Sequence, residues 1–390
     1  MLKYKVAIVG GGASGIVAAI ECSKRFNGGV CLLERADRIG KKLIMTGNGR
    51  GNLTNVDLDL THYHGDKNVP KLALEKFNAK TLENYFNNLG VMLTVEDGKV
   101  FPMSFQASSV LDMLMAKLNS LNTDIKCGYN VQNIVYKDGE YIISNDVGER
   151  VVAENVILAV GGKSGGHYGT DGSGYALAQA FGHTLTKTYP ALVQLKCNLK
   201  DYGNLRGIKV KAKATAVIGG NAVRSAFGDL LFTDYGVSGN AIFTISGEFV
   251  KSGGVLSIDF LPDVTESQLM DFLIKKTKNC NYLAGSDLLT GIVHKQVGKV
   301  IIKSTDGKLA NIVKKVKCFD LKITGDNGFD NSQVTKGGIR ADEIDANTFE
   351  SRLQKGLYLT GEVLDVDGDC GGYNLHFAFA SGYIAGRSVK

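Results

Sequence analysis

Six consecutive residues, Gly10-Gly11-Gly12-Ala13-Ser14-Gly15, have the types and spacing needed to hold a diphosphate. They make a G-x-G-x-x-G between an apolar run and an amphipathic one. Gly10 permits a tight turn, Gly12 lets the backbone approach a pyrophosphate, and Gly15 lets the next helix pack closely on the strand before it. Ala13 and Ser14 open that helix, whose unpaired N–H groups and partial positive charge suit an anion. Glu34 lies nineteen residues after Gly15, with Arg35 next to it. A carboxylate there can take both ribose hydroxyls and disfavours a 2′-phosphate.

Those residues need a frame, and the pattern supplies one. Residues 4–9 read as a buried strand, 14–25 as a helix and 30–34 as a second buried strand, which makes a βαβ unit. Helical spacing recurs over 71–89 and 106–121. Three short strands are expected over 125–154, with a Lys137-Asp138-Gly139 turn; Val131, within that stretch, joins the expected cofactor contacts. Val156–Val160 is another buried strand, running into Gly161-Gly162.

After Pro190 the pattern changes. Residues 191–262 alternate apolar and polar, with glycine turns at Gly219-Gly220 and Gly253-Gly254, and read as β-rich. Thr265-x-x-Gln268 is a capping box that opens a mainly helical part over 263–325, with helices at 286–303 and 307–317. Strand character at 318–324 and 356–360 follows, and a closing helix from Asn374 to Arg387. The expected fold class is therefore α/β: a Rossmann-like domain, residues 1–190 and 326–390, split by an inserted β-rich, barrel-like and helical domain at 191–325.

Two further motifs point to FAD rather than NAD as the bound dinucleotide. One is a polar, cationic loop just after the second strand, holding Lys41, Lys42, Thr46, Gly47, Asn48, Gly49, Arg50, Asn52 and Leu53. FAD adds a ribityl chain and an isoalloxazine rich in acceptors, which such a loop can serve. The other is the C-terminal run in which Gly361, Glu362 and Asp365 precede a glycine turn, Gly371-Gly372-Tyr373-Asn374-Leu375. A helix N-terminus there suits a flavin pyrimidine edge, where negative charge collects on reduction.

These motifs carry a resemblance. Gly356-Leu357-Tyr358 leading to Gly361-Glu362 resembles the second FAD signature of glutathione-reductase-like and fumarate-reductase-like flavoproteins. Together with Thr46–Asn55, Gly161-Gly162-Lys163-Ser164 and Gly371–Asn374, it makes the chain similar to the BaiN/RdsA family of flavoproteins over nearly its whole length. The resemblance implies bound FAD, a β-rich and helical insert, and NAD(P)H-linked reduction of carbon–carbon double bonds in steroid-like enones or in ribosomal RNA uridine. Amine oxidation is assigned to relatives and stays open as an alternative. One position departs from the pattern: the family loop reads Gly-Arg-Cys-Asn, and here it is Gly49-Arg50-Gly51-Asn52.

Other features narrow the field. Gly162-Lys163-Ser164 is not a P-loop, because the first glycine would fall at Ile157. No second complete G-x-G-x-x-G exists, so NAD(P)H is expected to dock transiently against the flavin. Seven scattered cysteines without a C-x-x-C fit reduced thiols in a cytoplasmic protein, and nothing resembles a metal site or a Ser-His-Asp constellation. No apolar run is long enough to span a membrane. The net charge is +6, yet residues 271–322 alone hold eleven Lys and four Asp. That segment reads either as a solvated helical face or as a site for RNA or a cofactor phosphate. Tyr373, His376 and Cys370 lie nearest the expected flavin loop and are the candidate proton donors.

Overall fold

The strand Leu2–Val9 is buried at every position from Val6 onward, so it must lie inside a sheet covered on both faces. In the computed structural model, which describes residues 2–199, 202, 205–250 and 253–390, it does. Ile8 pairs in parallel with Leu32 on one side and with Ile157 on the other. Asp124–Cys127 extends the sheet beyond Val30–Glu34. Leu357–Leu359 extends it beyond the last three residues of Arg150–Leu158. The first residues of Arg150–Leu158 turn instead to an antiparallel meander with Glu140–Asn145 and Val131–Lys137.

The chain divides into two compact units, residues 1–189 with 334–390, and 190–333. In the first, the helix Ala13–Ser23 is buried almost all round. It packs on the closing helix Tyr373–Ser388 through small residues. A Cβ on Gly382 would lie 2.2 Å from the Ser14 carbonyl oxygen, and one on Gly386 2.7 Å from that of Ala18. The two backbones therefore touch, and only glycine permits the distance.

The second unit is a closed six-stranded antiparallel barrel: Leu195–Cys197, Gly236–Ser238, Asn221–Phe232, Lys209–Ile218, Gly254–Asp259 and Phe319–Asp326. Ala212, Ala214 and Ala216 alternate inward, and the small residues leave room for Leu230, Phe232 and Ile258. The helices Glu266–Asn279, Lys295–Lys303 and Leu309–Lys317 cover the barrel with Leu269, Leu273, Val297, Ile301, Ile312 and Val316. The Thr265–Gln268 capping box forms in full.

Some elements differ from their sequence patterns for local reasons. The helix expected over 71–89 is two, Asn68–Lys76 and Ala79–Asn88; Phe77 leaves helical geometry and the Asn78 side chain caps the second by accepting the Thr81 N–H at 2.9 Å. The pattern over 286–303 yields a 3-10 turn at Gly285–Asp287 and an α-helix only from Lys295, with Gly291 between them at a left-handed φ of +82°. A short helix, Asn240–Ser246, sits inside the stretch that alternates like strand, started by Gly239 at φ +104°. The polar loop after the second strand holds short 3-10 turns within Leu43–Gly49, kinked at Thr46–Asn48.

Gly382→Ala gives a direct test of the helix contact. In an open helix the change would stabilise by about 1 kcal/mol. Here we expect a loss of about 1–3 kcal/mol in urea unfolding, since the two backbones must separate. A neutral or stabilised variant would contradict the contact.

Candidate functional site

At the end of the first strand the backbone turns sharply at Gly10, φ +106°, where a Cβ would lie 2.3 Å from the Ala159 oxygen. A Cβ on Gly15 would lie 1.9 Å from the Gly10 oxygen. Gly12 is the opposite case: a Cβ there meets nothing within 4 Å. Its backbone faces open space at the head of Ala13–Ser23, with no side chain capping the helix. The first helical bond runs from Ile16 N–H to Gly12 O, so the N–H groups of Ala13, Ser14 and Gly15 come before it and are left for a ligand. An open cradle bounded by helix N–H donors fits a pyrophosphate.

Glu34 closes this end. Its carboxylate accepts the Gly11 N–H and the Ala36 N–H, each at 2.7 Å. Tyr129 N–H bonds Glu34 O at 2.9 Å, and Val131 opens the next strand, opposite Asn145. Arg35 turns away to Asp171 and Ser173, and Lys41 to Asp37.

Lys42 does not reach into solvent. Its ammonium donates to Glu362 at 2.6 Å and to Ser164 O at 3.0 Å. Glu362 also accepts the Thr335 N–H at 2.9 Å, and the Thr335 hydroxyl accepts the N–H groups of Lys163 and Ser164 at 2.8 and 2.9 Å. A Cβ on Gly162 would strike that hydroxyl at 2.6 Å. Gly161 turns at φ +72°, and Gly361 at φ +75° lies against Ser14. Four segments, at Lys42, Lys163–Ser164, Thr335 and Glu362, thus meet in one charge-balanced knot. Thr335 was not foreseen, because a threonine in a three-residue strand carries no pattern.

The polar loop behaves less uniformly. Gly47, Asn48, Gly49 and Gly51 all have left-handed φ, and Thr46 bonds back to Leu43 O. A Cβ on Gly51 would press on Ala107 at 3.1 Å. Arg50 points to Glu96 at 2.6 Å and lies over the rings of Phe101 and Phe105. Leu53 is buried and bonds Val100 O. Asn52 is the informative one: it is buried, and its Oδ1 has no partner. It sits against Gly372, φ +101°, which heads the closing helix with no side-chain cap. An orphaned acceptor beside helix N–H donors fits an isoalloxazine edge, which presents one N–H between two carbonyls. Asn374 ties the turn by exchanging two 2.7 Å bonds with Gly368, and Leu375 follows, buried. Asn55 donates to Gly371 O at 3.0 Å. Asp365 lies apart, accepting from Thr186 at 3.0 Å in a polar cleft with Asp66 and Arg340.

The three donor candidates separate clearly. His376 is fully buried. Its Nε2 faces the Phe77 carbonyl at 2.7 Å, which can only accept, so Nε2 carries the hydrogen and Nδ1 accepts from Thr54 at 2.8 Å. Burial lowers its pKa to about 4. With both nitrogens bonded inside the fold, His376 ties the closing helix to Thr54 and Phe77. Burial pushes the Cys370 thiol up, so it stays protonated. Burial, with Asp57 and Asp369, pushes the Tyr373 phenol up to about 12, and its ring stacks on His62 at 4.4 Å.

Two clusters were invisible in the sequence. Asp57, His62, Asp369 and His64 are hydrogen-bonded in a row. Ser351, His183 and Glu343 line up like a hydrolytic triad, at 2.8 and 3.0 Å. However, Ser351 Oγ also accepts the N–H groups of Leu353 and Gln354 at 3.0 Å, which uses both lone pairs and leaves no nucleophile. In the basic segment Lys317 is a half-buried tie to Asp259 at 2.7 Å, whereas Lys275, Lys278, Lys295, Lys299, Lys303 and Lys314 are exposed. Among the described residues no group of His, Cys, Asp or Glu is arranged to hold a metal, and no helix is long and apolar enough to cross a membrane.

Residues 4–388 match the family described as HI0933-like protein Rossmann domain. The chain belongs to that family. It is an FAD-dependent oxidoreductase with a Rossmann-type FAD-binding domain and an inserted antiparallel barrel. It is 39% identical to the 3-dehydro-bile acid delta(4,6)-reductase of Clostridium scindens over 99% of this chain and 98% of that one. It is 27% identical to the ribosomal RNA dihydrouridine synthase of Haemophilus influenzae over 98% of each. The 3-ketosteroid delta1-dehydrogenase structure from Sterolibacterium denitrificans is similar at TM-score 0.54 and 10% identity, over 100% of this chain and 99% of that one. At that identity the likeness concerns the fold alone.

One buried acid gives this HI0933-like chain a pH signature. Burial pushes Asp367 up to about 6, with Asp365 and Asp369 adding to the shift and Lys336 and His64 opposing it. A carboxyl raised above its unfolded value of about 3.9 contributes stability that is full at low pH and is lost as pH rises from about 4 to 6. Asp367→Asn should therefore be more stable than the parent at pH 7, by on the order of 2–3 kcal/mol at most, with the gain fading by about pH 4. Urea unfolding across that range checks it; a gain that does not vary with pH would refute it.

Proposed function

We propose that the chain reduces an activated C=C bond in a small organic substrate, a steroid-like enone, with NAD(P)H as a transiently bound reductant. The observation that carries this reading is the near-full-length likeness to a reductase acting on 3-dehydro-bile acids. The orphaned Asn52 acceptor beside the closing helix supports a flavin held at that end. FAD, when bound, supplies a centre that accepts hydride from the nicotinamide and donates it to carbon.

The chain's residues bind and orient. The N–H groups at Gly12–Gly15 hold the pyrophosphate, Glu34 the adenosine ribose, and Val131 lies beside it. The Lys42–Glu362–Thr335 knot keeps Gly161, Gly162 and Gly361 in place around the cofactor. Asn52 accepts from the flavin's ring N–H, and the Gly371–Leu375 turn aims the closing helix at its carbonyl side.

A second reading has its own support. Uridine carries a C=C conjugated to a carbonyl, as an enone does, so hydride addition to either follows the same chemistry. The likeness to ribosomal RNA dihydrouridine synthases and the exposed lysines of the insert favour RNA as the carrier of that bond.

Gly12→Ala separates fold from cofactor. Gly12 has φ −84° and ψ −171°, which any residue adopts, and its Cβ would meet no protein atom. The variant should melt like the parent without cofactor, yet lose at least about ten-fold in FAD affinity because the methyl fills the phosphate cradle. The parent should purify yellow; NADH or NADPH should bleach it anaerobically, and an enone should restore it. Bleaching by an amine with peroxide formed in air would replace the reductase reading with an oxidase.

A further inference from the structure

Adding hydrogen to a C=C takes two particles from two sources. Hydride adds to one carbon, the π electrons shift toward the carbonyl, and a proton completes the other carbon. That proton comes from water and must be resupplied at each turnover. Among the described residues His376, fully buried and bonded to Thr54 and the Phe77 carbonyl, does not reach solvent.

Another group does. The strand Tyr63–Gly65 pairs antiparallel with Val366–Gly368, His64 opposite Asp367. His64 faces Asp367 within the ribbon, and the Asp369 N–H bonded to His62 O just past the strand ends sets His62 beside Asp369. Asp57, 74% exposed at its side chain, faces His62 Nε2 at 3.1 Å. His62 Nδ1 faces one oxygen of Asp369 at 3.1 Å, and His64 Nε2 the other at 2.7 Å. The Asp369 side chain is only 11% exposed. An imidazole bonded at both nitrogens can take a proton at one and release one at the other.

The path is also held rigid. Tyr373 stacks on the His62 ring at 18°. The Asp369 N–H bonds His62 O at 2.9 Å, and Asn374 reaches Asp369 O at 3.3 Å. So Asp369 is fixed at the foot of the Gly371–Gly372 turn that opens the closing helix. Asp367, buried with an unpartnered Oδ1, lies opposite His64 in the ribbon. The charged groups around it are Lys336, His64, Asp365 and Asp369.

We propose that Asp57, His62, Asp369 and His64 form a proton relay, carrying protons from solvent at Asp57 to Asp369 at the foot of the flavin-facing helix. This rests on the reductive reading above. One proton enters at Asp57 for each double bond reduced, and one leaves at Asp369; His62 passes protons without net change, and His64 holds the other Asp369 oxygen.

Two measurements test it. The first is imidazole NMR of the oxidised holoprotein. The ring N–H signals of His62 and His64 that face Asp369 should both move in Asp369→Asn. Ring signals unchanged in that variant would overturn the relay. The second is stopped-flow comparison of flavin reoxidation by an enone, which needs a proton, with reduction by nicotinamide, which delivers hydride alone. The ratio of the two rates should fall about ten- to hundred-fold in His62→Ala. Free imidazole in the buffer should restore it. Asp57→Asn, an exposed change, should lower the ratio in the same direction without altering the melt. An unchanged ratio in both variants, or no rescue, would refute the proposal. If no enone reoxidises the parent, the reductase reading fails while the NMR comparison still decides the relay.

Discussion

Everything at this site depends on backbone touching backbone. Gly15 presses on the Gly10 carbonyl, Gly382 on that of Ser14, and Gly361 on the Ser14 side chain. These contacts bring the first strand, the opening helix and the closing helix to one point. A single methyl at any of them would move a helix N-terminus. Two such termini, at Gly12 and Gly372, aim partial positive charge at the places where a diphosphate and a reduced ring carry negative charge.

The same constraint explains how charge is handled away from the helices. Lys42 and Glu362 are both partly buried, and neither is left to solvent alone: Ser164 and Thr335 complete their bonds. A half-satisfied ion pair would cost more than it contributes. Asp367 breaks the pattern, being buried with an oxygen unpaired. Buried groups that violate satisfaction in an otherwise consistent fold tend to mark working sites.

The Rossmann core was legible because its demands are local. Gly10 and Gly15 are required by covalent geometry within six residues, and the apolar runs at 4–9 and 30–34 announce a covered parallel sheet. The α/β class and the barrel insert followed from the switch to period-two alternation after Pro190. What was hidden depends on distance along the chain. His62 and Asp369 are 307 positions apart, and Lys163 and Thr335 172. No spacing rule links them. Closeness in sequence to a glycine turn says nothing about which way a helical side chain points, and His376 points to Thr54 and the Phe77 carbonyl. Arg50 lies in the right loop and spends its charge on Glu96, since Phe101 and Phe105 offer a stacking surface outside it.

The sheet order has a consequence for how the protein is made. Strand Arg150–Leu158 pairs with Leu2–Val9 early, but its other parallel neighbour, Leu357–Leu359, emerges from the ribosome some two hundred residues later. Between them the barrel, built from antiparallel neighbours, can close on itself. Until then the edge of Val156–Leu158 stays open, an apolar strand with unpaired N–H and C=O groups. The last thirty-odd residues both cap that edge and supply the closing helix. A chain cut short of them would be exposed to aggregation, and would lack the cofactor end as well.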